Sequence, residues 1–144
     1  MAESITYSIN VSVAGGPRVS DSRSVSLEAY DKVNLMVPAS TPPSGAGLEA
    51  NIQPGGQGLA KLLVITASAY EDMSYRINDA TTQEIQLDGP QFFSGEGGVG
   101  LLYEPPLSDA SPAPPTTLFF YNGGSEDVTV EVLVARDAVV PPSP

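Results

Sequence analysis

The sequence predicts an all-β domain built as an antiparallel β-sandwich, and three observations predict this fold class. Apolar and polar residues alternate along 5–13 and again along 128–134, which places the apolar side chains on one face of a strand. Gly and Pro turns separate the other short apolar runs, and no segment carries a clear helical pattern. Short strands at this spacing are typical of a sandwich or barrel. We expect the two sheets to close as a jelly roll with long Pro- and Gly-rich loops and extended termini.

The N-terminal third predicts the first strands. The alternation over 5–13 ends at 15–17 (GGP), because Pro cannot donate to a ladder and Gly opens turn conformations. It resumes over 25–29 and 33–37, and both halves have the same parity. Residues 30–32 (YDK) between them are therefore either a tight turn or a bulge within one long strand.

The middle of the chain mixes loops with short strands. Residues 38–58 have no periodicity, and loops of this length are usually functional or bound to a partner. Within this loop, Leu48 and Ile52 fit either one helical turn or a short strand. Residues 61–68 (KLLVITAS) form an apolar, β-branched run that predicts a core strand, with a helix through 59–63 as the alternative.

Three further short strands are predicted after this core strand. They lie at 73–78, 84–87 and 99–103. Asn78 and Asp79 are the predicted turn residues between the first two, since both residue types favour turns.

The C-terminal part contains a second proline-rich loop at 105–115 (PPLSDASPAPP), which is too rich in Pro for a helix or a ladder. An aromatic strand over 116–122 and a final strand over 128–134 flank an Asn-Gly-Gly turn. The sequence thus predicts one β-sandwich domain over 1–140 with a short N-terminal arm, and a proline-rich tail over 141–144.

Charge and cysteine content narrow the functional classes. The chain of 144 residues carries 17 acidic and 6 basic residues, a net charge of −11. Its basic residues are scattered singly, so we expect no binding to nucleic acid or to an anionic membrane, since both depend on clustered Lys and Arg. The absence of cysteine excludes disulfides and thiolate chemistry. No signal-peptide pattern and no apolar run long enough to cross a bilayer are present, so we expect synthesis in the cytoplasm.

The side chains that most enzymes use are also missing. Without histidine, the Ser-His-Asp arrangement, His-ligated metals and imidazole acid–base steps are excluded. Gly95–Gly100 matches GxGxxG by letter, but 101–106 (LLYEPP) cannot form the helix of a dinucleotide site, so we expect a flexible glycine loop. Lys61 is expected at a strand edge rather than in a Schiff base. Paired carboxylates leave a weak case for glycoside hydrolysis, because the chain has no Trp platform. We expect no enzymatic activity and no cofactor.

Calcium requires only oxygen ligands, and several acidic residues lie at predicted turns. No stretch follows the EF-hand spacing, so we expect solvated charge at loop ends and no metal site. The acidic residues at predicted turns are Asp79, Asp88, Asp109, Glu126 and Asp127.

Two groups of adjacent aromatic residues bear on oligomerisation: Phe92-Phe93 and 119–121 (FFY). Neighbours on a strand face opposite ways, so one member of each group points out of the core. That outward ring is either covered by a loop of the same chain or buried in a partner.

The segment ITYSINVSVAGGPRVSDSRSVSLEAYDKVNLMVPA (5–39) combines Ser/Thr-Val alternation with Gly-Pro turns. Together with the absence of Cys, His and Trp, it resembles bacteriophage head decoration (cement) proteins of the trimeric jelly-roll type. The resemblance implies homotrimers on the outer capsid surface, at three-fold positions, that bind and bridge the major capsid protein and stabilise the head. It also implies a virion location after synthesis in the host cytoplasm.

Under this resemblance the partner contacts lie in the termini and in the two proline-rich loops. No contact with nucleic acid or membrane is implied. The candidate contact residues are Ala2, Glu3, Ser4, Pro42, Pro43, Pro105, Pro106, Pro114, Pro115, Pro141 and Pro142.

Two other functions compete with this one. A carbohydrate-binding or adhesion β-sandwich predicts exposed Tyr or Phe on a concave face. A phage tail or baseplate module is the second alternative. All three are structural or binding roles rather than catalytic ones.

Overall fold

The fold is all-β, with antiparallel sheets that are consistent with the predicted β-sandwich. A computed structural model describes residues 3–27, 29–43, 45, 47–52, 60–78, 83–100, 102 and 115–136. In chain order the elements are β1 (Glu3–Ser12), β2 (Arg18–Leu27), β3 (Ala29–Val37), β4 (Leu48–Asn51), β5 (Ala60–Ala67), β6 (Met73–Ile77), β7 (Ile85–Gln86), β8 (Gln91–Ser94), α1 (Gly95–Gly100), β9 (Thr117–Asn122) and β10 (Val128–Arg136).

Two four-stranded sheets make the body of the described fold. The first sheet has the order β3-β10-β5-β8, and the second sheet has the order β4-β9-β6-β7. All neighbouring strands are antiparallel. One set of pairs is nested along the chain, since β6 pairs with β7, β5 with β8, β4 with β9 and β3 with β10. Successive pairs of this set lie in alternate sheets.

The core lies between the two sheets and follows the strand period of two. The valines of β10 are all buried, whereas Thr129 and Glu131 between them are exposed. The second sheet contributes Tyr75 and Phe120, whose ring centroids lie 5.7 Å apart. Burial of a large apolar side chain stabilises a fold by about 1.5–3 kcal/mol. Other large core residues are Val37, Ile52, Leu63, Ile65, Met73, Leu87, Val99 and Leu118.

β1 and β2 form a separate antiparallel hairpin and pair with each other along their whole length. The turn predicted at 15–17 is confirmed. The amide of Gly16 donates to the carbonyl of Val13 (2.8 Å). Gly15 adopts a φ of 71°, which glycine reaches without steric cost.

The strand boundaries that follow the hairpin differ from the prediction. β2 begins at Arg18, although the predicted strand began at Val25, because pairing with β1 holds a segment whose own sequence is mostly polar. Residues 30–32 are neither a turn nor a bulge, since they lie inside β3 in unbroken register with β10. Asp31 is held in this strand by an ion pair with the buried Arg136 of β10.

The strands of the middle and C-terminal parts largely confirm the prediction. The segment that begins at Leu48 forms a short strand, β4, rather than a helical turn. β5 is a strand, so the alternative helix through 59–63 is wrong. β6, β7, β9 and β10 all overlap strands that the sequence predicts.

The glycine-rich segment is the main error of the prediction. Gly95–Gly100 forms the short helix α1 rather than a glycine loop, and no strand is present at 99, 100 and 102, the described residues of the predicted strand 99–103. The strand of this region, β8, precedes the helix. Val99 and Leu102 are both buried, and the amide of Leu102 donates to the carbonyl of Val99 (3.0 Å). Burial at a spacing of i, i+3 favours a helical turn over a strand.

Asn78 is confirmed as a turn residue, with a φ of 66°. Its side-chain Oδ1 accepts hydrogen bonds from the amides of Thr116 (2.7 Å) and Thr117 (3.3 Å). This carbonyl therefore joins the end of β6 to the start of β9. The other predicted turn residue, Asp79, lies outside the described residues.

Tyr75 and Gln91 connect the second sheet to β8 of the first. Burial raises the pKa of Tyr75, so its hydroxyl stays protonated and donates to Oε1 of Gln91 (2.6 Å). The side-chain amide of Gln91 donates in turn to the carbonyl of Gln86 in β7 (2.8 Å).

Asn122 joins the two sheets at one end of the sandwich. Its buried side-chain amide donates to the carbonyls of Val37 (3.2 Å) and Glu126 (2.7 Å), and its Oδ1 accepts from the amide of Gly124 (2.9 Å). Val37 ends β3 in the first sheet and Asn122 ends β9 in the second. These bonds therefore connect the sheets and close the turn that leads into β10.

We expect Asn122→Ala to lower the free energy of unfolding by about 1–3 kcal/mol, because the Val37 carbonyl loses its donor in a buried hydrogen bond. Urea denaturation followed by circular dichroism measures the change. The matched control is Asn34→Ala, which removes an exposed asparagine of β3 and should stay within about 0.5 kcal/mol of the parent. Equal losses in the two variants would contradict this role for Asn122.

Candidate interaction surface

The β1–β2 hairpin has two chemically different faces, because successive side chains of a strand point to opposite sides. One face carries hydroxyl and amide side chains, and the other is mostly apolar. The serine face comprises Ser4, Thr6, Ser8, Asn10, Ser12, Arg18, Ser20, Ser22, Ser24 and Ser26. The valine face comprises Ile5, Tyr7, Ile9, Val11, Val19 and Val25, and it also carries Arg23 opposite Tyr7 and Asp21 opposite Ile9.

The serine face is exposed and is linked across the strands by side-chain hydrogen bonds. The hydroxyls of Ser4 and Ser24 lie 2.9 Å apart, and those of Ser8 and Ser22 lie 3.1 Å apart. Hydroxyl pairs of this kind stabilise the pairing of neighbouring strands. Several hydroxyl groups on the solvent side of the hairpin therefore form hydrogen bonds within the chain.

The base of the valine face packs on the outer side of the first sheet. Tyr7 is central to this contact, since its ring meets the ring of Phe92 edge-on with centroids 4.8 Å apart. Its hydroxyl lies 2.6 Å from Oγ of Ser94. An edge-on aromatic pair adds about 0.5–1.5 kcal/mol beyond its buried area. Ile5 and Val25 join the same contact, and the sheet residues beneath it are Leu62, Val64, Phe92, Leu133 and Ala135.

This packing settles where the outward aromatic rings lie. Phe93 packs against the core, whereas Phe92 faces outward and is covered by the chain's own hairpin. In the second group Phe120 lies in the core, while Phe119 is half-buried and Tyr121 is fully buried on the outer side of the second sheet. Cover within the chain therefore accounts for Phe92 and Tyr121, whereas Phe119 stays partly exposed.

A tight turn on the outer side of the second sheet covers Tyr121. Gly47 in this turn has a φ of 76°, and a Cβ there would lie 2.8 Å from Cε1 of Tyr121. The guanidinium carbon of Arg76 lies 5.6 Å from the centre of the same ring, within the range of a cation–π interaction. Only glycine fits the backbone conformation and the space at position 47.

The predicted contact residues do not form one surface among the described residues. Ser4 lies on the serine face of the hairpin, and Glu3 begins β1. The exposed Pro42 and the half-buried Pro43 lie on the outer side of the second sheet, on the opposite side of the sandwich, where the carbonyl of Pro43 faces β6. Pro115 is buried directly before β9. Ala2, Pro105, Pro106, Pro114, Pro141 and Pro142 lie outside the described residues.

The distal end of the valine face, which the alternation extends to Val13 in the turn, is largely exposed. Val11 and Val13 are each 60% exposed, Val19 is 68% exposed, and Ile9 is 37% exposed. We call these four residues the tip patch. A cluster of exposed apolar side chains marks an interaction site more strongly than single exposed residues do.

The sequence prediction did not identify this surface, because the alternation over 5–13 predicts an apolar face but not which part of that face is covered. A signal was nevertheless present in the partner strand. Residues 18–24 (RVSDSRS) contain no apolar residue except Val19. A hairpin with such a partner strand has too little apolar area to form a second layer of a sandwich by itself.

Features of several other protein classes are absent from the part of the chain that the structure describes. It holds no group of three or more His, Cys, Asp or Glu side chains that could bind a metal ion. Among the acidic turn residues, Asp127 accepts a hydrogen bond from the amide of Ala39 (2.9 Å), and Asp79 and Asp109 are not described. No helix within the described ranges is long and apolar enough to cross a membrane.

Comparison with known proteins gives no family for this chain. No protein-family model matches it, and no match was found among curated proteins or solved structures.

We expect Tyr7→Ala to release the hairpin from the first sheet while the sandwich stays folded, because the ring contact and the hydroxyl bond of Tyr7 are both lost. Hydrogen exchange should accelerate in β1 and β2 and remain slow in β5 and β10. Ser8→Ala, on the serine face, is the matched control and should leave the hairpin protected. Unchanged exchange of the hairpin in Tyr7→Ala would show that this anchor is unimportant.

We expect Gly47→Ala to destabilise the protein by about 1–3 kcal/mol, since alanine is strained at positive φ and its Cβ meets the ring of Tyr121. Thermal unfolding measures this loss. Gly45→Ala is the control, because the nearest atom to its Cβ would be the Pro42 carbonyl oxygen at 3.5 Å. A parent-like melting temperature for Gly47→Ala would be the contrary result.

Proposed function

We propose that this chain is a virion structural protein without enzymatic activity, a decoration protein that binds the outer surface of a phage head. In this role it stabilises the head by bridging major capsid proteins. The observation that carries the proposal is the hairpin, which holds an uncovered apolar patch away from a closed sandwich. A binding part needs such a projecting contact surface and needs no catalytic group.

The strand order supports a jelly roll as the finer description of the sandwich. When the hairpin β1–β2 is set aside, eight strands remain in the described chain. The first of these pairs with the last, the second with the seventh, the third with the sixth and the fourth with the fifth. A long hairpin of eight strands rolled into two sheets gives this nested pattern, and jelly rolls of this kind are common among viral capsid proteins.

The charge of the chain is compatible with the outer surface of a capsid. A net charge of −11 disfavours contact with packaged nucleic acid, which binds proteins through Lys and Arg. The same charge keeps free copies apart in solution before they attach. Attachment to the capsid therefore depends on local apolar contacts rather than on electrostatic attraction by the net charge of the chain.

A carbohydrate-binding or adhesion module is the second candidate, because jelly rolls also occur in lectins. Exposed aromatic platforms favour sugar binding, and Tyr30 is the large aromatic residue exposed among the described residues. One ring makes a small platform, so the decoration role is the better supported of the two. A tail or baseplate module would use the same apolar tip and differs only in the virion part that it contacts.

We expect the purified protein to co-sediment with capsids of the phage that encodes it, when those capsids lack their own decoration protein. Fully decorated capsids are the control, because their sites are already filled. Saturation at three chains per three-fold position would support the proposal. A protein that binds no capsid but binds a glycan array would instead support the sugar-binding role.

A further inference from the structure

We propose that the tip patch of one copy docks on the outer face of the first sheet, at β3, of a second copy of this chain. This inference rests on the proposed function, for which the resemblance to decoration proteins implies a homotrimer, and it assigns the contact that would build that trimer. The contact is head-to-tail, because the tip and its acceptor are different surfaces of the chain.

The hairpin extends well past its contact with the first sheet. Tyr7 contacts Phe92 and Ser94 of β8, and β8 is the edge strand of the first sheet as described. Strand residues advance about 3.3 Å each, so the part of β1 after Tyr7 extends roughly 15 Å past this contact. Ile9 and Val11 lie on this distal part, where they are 37% and 60% exposed.

The acceptor lies at the opposite edge of the same sheet. Tyr30 and Met36 of β3 are 52% and 58% exposed. Both stand opposite outward-facing positions of β10, because Tyr30 pairs with Ala135 and Met36 with Thr129. Together with the tip patch, they account for the large exposed apolar side chains of the described residues. The acceptor surface therefore consists of Tyr30 and Met36, with the exposed Lys32 and Asn34 between them on the same face.

The outer face of the first sheet is thus covered only in part by its own hairpin. The base of the valine face covers residues of β5, β8 and β10 and leaves Tyr30 and Met36 of β3 exposed. A tip that extends past its own contact with β8 can reach the β3 side of a second body. The second hairpin would then extend the apolar cover across the same sheet face.

Charge favours a second copy as the occupant. Residues 3–27 carry two acidic and two basic residues. The rest of the chain carries 15 of the 17 acidic residues and 4 of the 6 basic residues. Like charges repel between copies of a chain whose net charge is −11. The hairpin is the neutral part that can approach an acidic body without this repulsion.

The acceptor surface is locally neutral as well. Between Tyr30 and Met36 on the same face, Lys32 pairs with Glu131 of β10, with Nζ and Oε1 3.5 Å apart. A hairpin of no net charge therefore meets a β3 surface of no net charge. Repetition of one head-to-tail contact closes into a ring when its rotation divides a full turn.

Disulfide cross-linking tests the contact directly, because the chain has no cysteine of its own. We expect Val19→Cys combined with Met36→Cys to give covalent dimers and trimers under mild oxidation, since a disulfide needs Cα atoms within about 7 Å. Val11→Cys with Tyr30→Cys tests an alternative register of the same contact. The matched control combines Ser20→Cys, on the serine face, with Met36→Cys. Monomers alone in both tip pairs, or equal cross-linking in the control, would overturn the proposal.

Sedimentation equilibrium gives the second readout. We expect the parent chain of 14.9 kDa to form a trimer, and Val19→Asp or Met36→Asp to reduce the trimer at least tenfold at equal concentration. Both positions are exposed, so the variants should fold, and Ser20→Asp is the control that should leave the trimer intact. A parent that is monomeric, or tip variants that remain trimeric, would overturn the inference.

Capsid binding separates this inference from the proposed function. A monomeric parent that still binds capsids would leave the decoration role standing and would make the capsid the partner of the tip. A trimer that depends on the tip but binds no capsid would support the contact between copies and would contradict the decoration role.

Discussion

The fold depends on the position of β10 in the first sheet. This strand lies between β3 and β5 and pairs with both, although long stretches of chain separate it from each. Its valines face the rings of the second sheet across the core. On its other side, Leu133 and Ala135 receive the base of the hairpin. One strand therefore supports both the closed body and the projecting part of the molecule.

β1 and β10 have the same alternating pattern, but they differ in how much of the apolar face is covered by another layer of the molecule. In β10 every apolar side chain meets another layer, because a complete sheet lies opposite. In β1 the cover ends after Tyr7, which packs on Phe92 of β8, and Val11 is 60% exposed. A strand that is longer than the surface beneath it presents the rest of its apolar face for another molecule to bind.

Local sequence predicted the strands whose pattern is complete in itself. The alternations of β1 and β10, the Gly-Gly-Pro turn and the aromatic strand β9 all depend on residue types that lie next to one another. β8 could not be found this way, because its four residues (QFFS) become a strand by pairing with β5, which is distant in sequence. The short apolar run after the glycines fits a strand and a helical turn equally well, and the burial of Val99 decided for the turn.

The interaction surface was harder to predict than the fold, because exposure is a property of tertiary placement. Sequence alone gives the apolar face of β1, but only the packing of Tyr7 on Phe92 shows where cover stops. The candidate contacts drawn from proline content lie on different sides of the described structure or outside it, whereas the tip patch consists of valine and isoleucine. Electron cryomicroscopy of capsids bound to the purified protein tests the account most directly. We predict three chains at each three-fold position, with each hairpin tip over β3 of its neighbour; single chains, or tips that touch no neighbour, would contradict it.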